Sequence, residues 1–186
     1  MTTVFLSGSR KITNLNDVIK ERIESEITAG SAIVVGDANG ADKAMQTLLA
    51  DRGYSNVAVY YAGETCRNNI GSWQSMSICA GSKLKGRALY TEKDKAMARL
   101  AGYGIVLWDG ISAGSITNVF ELLKHNKKAD VYVAFEKRFL TVEAAQDIKE
   151  ILLRCDPSTI ADFENSAFLK HQMENLGLAR QGGLEL

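Results

Sequence analysis

Three short apolar runs in this chain each end in a glycine-rich turn. Residues 2–6 lead into Ser7-Gly8-Ser9-Arg10, residues 31–35 into Gly36-Asp37-Ala38-Asn39-Gly40-Ala41-Asp42, and residues 104–108 into Asp109-Gly110-Ile111-Ser112-Ala113-Gly114-Ser115. Short continuous apolar runs bounded by turn signals predict strands covered on both faces, as in a parallel sheet. Helical spacing follows the turns: Leu15, Val18, Ile19, Ile23 and Ile27 mark a helix over 15–28, and a second helix over 41–51 stops at Gly53. A strand at 56–61, a helix at 93–101, the strand at 104–108, a helix at 116–125 and a strand at 130–135 continue the alternation. Strands alternating with helices imply right-handed crossovers. The expected fold is α/β, a Rossmann-like three-layer sandwich with a mainly parallel sheet and a C-terminal helical extension. Parallel neighbours would bring all three turns to the carboxyl edge, where backbone N–H groups converge on one crevice that can hold a phosphate.

Composition narrows the function classes. The 186 residues carry 22 Lys and Arg against 22 Asp and Glu, for a net charge of zero, and 46% are hydrophobic. That is enough apolar content for a well-packed domain, and the interspersed signs argue against an extended nucleic-acid footprint. Cys66, Cys79 and Cys155 show no CxxC spacing, and His125 and His171 are the only histidines. Neither a disulfide framework nor a structural metal site is expected, and three thiols in a reducing cytosol fit better. The N-terminal run is too short for a signal-peptide core and no later run spans a membrane, so a cytoplasmic protein without membrane partners is expected.

Two regions break the rhythm. Residues 61–90 contain Gly63, Gly71, Gly81 and Gly86 among many Ser, Asn and Lys, which suits a lid or one wall of a site. Beyond Phe135 the pattern turns helical, with one helix over 142–153 closed by Pro157 and another over 159–175, while 177–186 should fray. The boundaries drawn from this are a core at 1–136 and a helical extension at 137–186.

Residue by residue, the turns leave alternatives open. Gly8 with Ser9 and Arg10 can approach a ligand, or can serve turn geometry alone. Asp42 is either a favourable charge at a helix N-terminus or an acceptor for ribose hydroxyls. Ser115 and Thr117 with the helix amides form an anion site, and Ser115 can also be a plain N-cap. Asp109 is a candidate carboxylate or a turn-forming residue before Gly110. Glu121 is a second candidate or a solvated charge. Arg67, Asn68, Asn69 and Trp73 could cover a bound base, although a lone Trp more often anchors a loop. Lys83, Lys85 and Arg87 form a small basic run.

Taken in order, Ser7-Gly8-Ser9-Arg10, then 35–44 (Val-Gly-Asp-Ala-Asn-Gly-Ala-Asp-Lys-Ala), then Lys93-Asp94-Lys95-Ala96-Met97, then 108–115 resemble the motifs of the SLOG superfamily, in its YspA/YpsA-related branch. The resemblance covers about residues 1–136. It implies a Rossmann-like fold that binds a nucleotide or nucleotide derivative as a small-molecule ligand, with no other cofactor, as a homodimer or higher homo-oligomer. The residues it marks are Gly8, Ser9, Arg10, Gly36, Asp37, Asn39, Gly40, Asp42, Lys93, Asp109, Gly110, Gly114, Ser115, Thr117 and Asn118. The cytokinin-activating LOG enzymes are similar in architecture and release a base from a nucleoside monophosphate. Here Asn118 stands where their catalytic glutamate would be, and an amide does not exchange a proton at neutral pH. An N-glycosidase would therefore need Asp109 or Glu121 as its carboxylate. A protein-interaction module with a vestigial crevice is the remaining alternative.

Overall fold

The computed structural model describes residues 1–78 and 86–178. In chain order the elements are β1 (Thr3–Gly8), α1 (Asp17–Thr28), β2 (Ala32–Gly36), α2 (Ala41–Asp51), β3 (Val57–Ala62), β4 (Gln74–Ile78) and α3 (Gly86–Leu100). They continue with β5 (Tyr103–Trp108), α4 (Ala113–Lys124), β6 (Ala129–Val133), β7 (Arg138–Val142), α5 (Ala145–Leu152), α6 (Pro157–Phe163) and α7 (Ala167–Asn175). One sheet contains the seven described strands in the order β4-β3-β2-β1-β5-β6-β7. All pairings are parallel except the β6–β7 hairpin. The chain starts in the middle, builds outward to β4, and returns to lay β5 on the free side of β1. The strand order therefore reverses between β1 and β5, the place where an open parallel sheet leaves a crevice at its carboxyl edge.

Alternate residues along each strand feed opposite faces. Val4, Leu6, Val35, Ile105 and Leu107 pack against Ile19 and Ile23 of α1 and Met45 and Leu49 of α2. Phe5, Val34, Val106 and Trp108 pack against Met97 of α3, Val119 and Leu122 of α4, and Ile151, Phe163, Leu169 and Met173 of the last three helices. The result is the expected three-layer α/β sandwich. Among the described residues no helix is long and apolar enough to cross a membrane.

Several boundaries differ from the sequence reading. Segment 61–90 is not all irregular, because Gln74–Ile78 pairs with β3 as an edge strand and α3 begins at Gly86 rather than near Lys93. Most of β4 is exposed, so it carries little of the apolar signal by which buried strands are found. The chain also stays in the sheet after residue 136: β7 returns antiparallel to β6, with Lys137 in the turn at φ 54°. The boundary drawn at 136/137 therefore falls inside a hairpin, and the segment after it is not purely helical. The tail then forms three short helices instead of two, and Pro157 opens α6 at its first position rather than closing α5. Phe168 of α7 meets Phe120 of α4 edge to face, with centroids 6.2 Å apart. Cys79, Lys83, Lys85, the side chain of Arg87 and residues 179–186 of the tail expected to fray lie outside the described residues.

Gly40 has φ +83°, and a Cβ there would fall on the backbone of Arg10, whereas Gly30 has φ +68° and nothing within 4 Å of a Cβ. Backbone strain alone should make Gly30→Ala cost about 1 kcal/mol. Gly40→Ala adds a collision between two turns and should cost about 1–3 kcal/mol more. Urea unfolding of the two variants measures the difference, and equal midpoints would refute the close approach.

Candidate functional site

At the carboxyl edge the first and third turns are tied together by one carboxylate. Asp109 Oδ2 accepts hydrogen bonds from Ser9 Oγ and Ser112 Oγ, each at 2.8 Å, and those two hydroxyls are themselves 2.8 Å apart. Asp109 Oδ1 accepts from the backbone N–H groups of Ile111 at 3.2 Å and Ser112 at 2.8 Å. Burial alone would raise its pKa, but the hydroxyl and amide donors outweigh burial and hold the carboxyl below its ordinary range. A carboxylate saturated in this way fastens a loop. It has no proton to give to a leaving base.

Helix α4 starts at Ala113, with Ser112 as N-cap, so Ser115 lies inside the first turn and is buried. The Ser112 side chain makes no capping hydrogen bond. The opening amides of the helix therefore keep their capacity for an external acceptor. Gly114 is exposed, with nothing within 4 Å of where a Cβ would stand. The other candidates on this helix turn inward. Thr117 Oγ1 donates to the Ala113 carbonyl at 2.8 Å, Asn118 Nδ2 donates to Ser7 Oγ at 2.7 Å, and Glu121 is 3% exposed.

The glycines of the first two turns serve packing. A Cβ on Gly8 would stand 2.7 Å from Ala41 Cβ and 2.8 Å from the Leu107 carbonyl, and Gly40 lies over Arg10. A Cβ on Gly36 would reach within 2.6 Å of Lys93 Nζ and would strike the Asp42 carboxylate. Around that gap sits a buried ionic knot. Fully buried Asp37 accepts from Arg67 Nε at 2.8 Å and Nη2 at 2.6 Å, and Lys93 Nζ lies 3.6 Å from Asp37 and 3.5 Å from Asp94. Asp42 Oδ2 accepts from the Ala38 N–H at 3.1 Å. Asn68 Nδ2 bridges the Asp37 carbonyl and Asn39 Oδ1 at 2.7 and 3.0 Å.

The pKa directions follow from this arrangement. Burial would lift Asp37, but Arg67 and Lys93 bring it below its ordinary value. For Asp42 burial wins over Lys93, and neighbouring Asp94 and Asp37 push the same way, so its pKa is pushed up to about 6. Asp94 is also raised, by burial first. Lys93, despite burial, is raised by its three carboxylate neighbours. Lys93 and Asp42, marked by resemblance as ligand-binding, are therefore consumed inside the protein.

What the edge does present to solvent was only partly visible in the sequence. The Tyr90 ring of α3 lies under two guanidinium groups, Arg67 at 4.8 Å and Arg10 at 5.7 Å from its centroid. Beside the third turn, Phe135 is 49% exposed, sits against Gly110, and meets Trp108 edge to face at 6.2 Å. Ile111 beside it is 48% exposed. Sequence reasoning passed over Tyr90 and Phe135. Tyr90 stands three residues before Lys93 in a helix whose start was placed too late. Trp73 is an anchor, its Nε1 donating to the Tyr54 carbonyl at 2.8 Å. Among the described residues no group of three or more His, Cys, Asp or Glu is arranged to hold a metal.

No protein-family model matches this sequence, and no curated protein matches it. Among solved structures, one reporting a unique single-stranded DNA binding mode of DNA processing protein A from Helicobacter pylori is similar, with a TM-score of 0.53 and 15% identity. The match covers 70% of this chain and 64% of that one, so the chain spans just under two thirds of that protein's length. The similarity supports the Rossmann-like fold. It also corrects two expectations: the small nucleotide ligand, with its base-releasing alternative, and the exclusion of extended nucleic-acid binding. A neutral overall charge reports a total, whereas strand binding depends on how charge is distributed at one edge.

The knot generates a pH prediction. Between the ordinary carboxyl value of 3.8 and about 6, Asp42 keeps its proton in the folded chain and loses it on unfolding. The contribution of Asp42 to stability should therefore fall as pH rises through this window, by about 3 kcal/mol. Asp42→Asn should lack that component. Urea unfolding of both proteins from pH 4 to 7 checks this, and parallel curves would refute it.

Proposed function

We propose that the carboxyl edge of the sheet binds single-stranded nucleic acid, and that the chain is a SLOG-type domain related to the YspA/YpsA branch. The observation that carries the binding reading is the composition of one continuous strip. Arg10, Tyr90 and Arg67 form a cationic aromatic surface at one end. Ser9 joins this end to the uncapped, open start of α4 at Gly114. Gly110 joins that start to the half-exposed Phe135. Positive charge and helix amides suit phosphates, and aromatic rings that are half-buried, as Tyr90 is, or half-exposed, as Phe135 is, suit unstacked bases. A duplex hides its base faces and asks for more cations than the strip supplies. The ordered glycine motifs and the fold of the Helicobacter pylori DNA processing protein support the same reading.

Fluorescence anisotropy with an end-labelled oligothymidylate and a duplex of equal length tests it. The single strand should bind more tightly, with affinity falling as salt rises. Arg10→Ala should flatten the salt dependence by about 0.7 of a log unit per log unit, the share of one phosphate contact. Tyr90→Ala should weaken binding about tenfold and leave the slope unchanged, as loss of a stacked base requires. Equal affinity for duplex, or no binding at low salt, would overturn the proposal.

A further inference from the structure

A second concavity shares the β1–α1 turn with this strip. It is a cleft of about 270 Å³ between that turn, the start of α1 and the end of β6. Ile12, Ile19 and Ala134 supply its apolar surface. Tyr132, only 4% exposed, also lines it, and its hydroxyl accepts from Asn16 Nδ2 at 2.6 Å. Asn16 is fixed in turn, since its Oδ1 caps α1 by accepting from the Ile19 N–H at 3.1 Å. The Tyr132 hydroxyl thus keeps its own hydrogen to donate. Thr13 and Asn14, also in the lining, are exposed and make no hydrogen bond or ion pair among the described residues.

We infer that this cleft is a base pocket, which receives one unstacked nucleobase of the strand held on the adjacent strip. The inference rests on the strand-binding reading and adds to it a site and a ligand class. Size is the first argument. The cleft lies just below the roughly 300 Å³ at which pockets for drug-sized ligands begin, so it suits a single planar ring system. Chemistry is the second: the apolar surface accepts a base face, while a free amide and a free hydroxyl can pair with a base edge, an amide being donor and acceptor at once. Continuity is the third. Lys11 of the lining follows Arg10 of the strip, and Ala134 of the lining precedes Phe135, so the cleft shares both of its bounding turns with the surface that carries the phosphates. Lys11 has no ion-pair partner among the described residues, which leaves its ammonium available to the phosphate of the inserted nucleotide.

The test compares an oligothymidylate with a deoxyribose-phosphate strand of equal length that lacks bases, in the wild type, Ala134→Phe and Asn14→Ala. The wild type should prefer the base-bearing strand. Ala134→Phe fills the cleft and should reduce that preference about tenfold, with affinity for the abasic strand and the salt slope unchanged. Asn14→Ala, at an exposed position, should reduce it about threefold through one lost hydrogen bond, and keeps the test decisive if Ala134→Phe does not fold. Retained preference in a folded variant overturns the pocket while the strip stands. Equal wild-type affinity for both strands overturns the pocket together with base stacking on the strip and leaves only the strip's phosphate contacts, and no affinity for either overturns the strip and the pocket together.

Discussion

A buried ammonium group organises the carboxyl edge of the sheet in this protein. Lys93, 3% exposed, has to find compensating charge because an isolated cation in the interior is prohibitively costly. It finds Asp37 at the end of β2, Asp94 beside it on α3, and Asp42 at the start of α2. Each link fixes an element. Asp37 in turn holds Arg67 by two side-chain hydrogen bonds, and Arg67 lies over Tyr90. Asp94 bonds Asn118, which reaches Ser7 at the end of β1. Through this chain of contacts one buried charge sets where an exposed guanidinium and a half-buried ring stand.

The same economy explains the glycines. Gly8, Gly36 and Gly40 look alike in sequence, and each gives up its side chain to a neighbour inside the protein: Ala41 and Leu107, Lys93 and Asp42, and the Arg10 backbone. Only Gly114 among the glycines of these turns combines exposure with open space. A glycine after a strand signals that something comes close. Whether that something is a ligand or another turn depends on where the other turns lie.

Much of the fold was legible because its signals are local. The apolar runs of β1, β2 and β5 and the amphipathic spacing of α1 and α2 survive in the structure with shifts of a residue or two at their ends. The elements that were missed lack such signals. Strand β4 is almost wholly exposed, and β7 pairs back onto β6 after a turn whose last residue, Lys137, gives no warning of its positive φ. At the site, the meeting of the Ser9 and Asp109 turns at one edge of the sheet was legible. That Lys93 and Asp42 face one another across the space left by Gly36 was not legible, because their segments lie far apart in the chain.

The sequence by itself determined the class of fold and the edge at which the three glycine-rich turns meet, since strand-turn-helix alternation with right-handed crossovers leaves few other arrangements. Tertiary structure alone decided which polar groups remain for an outside partner. Asp37, Asp42, Lys93, Asp109 and Asn118 carry the most suggestive chemistry in the chain, and all are satisfied internally. Arg10, Tyr90, Gly114 and Phe135 are left facing solvent or only partly covered at that edge. The reason is physical: periodicity is a property of neighbours along the chain, whereas the pairing of a buried charge depends on groups that folding brings together from distant segments.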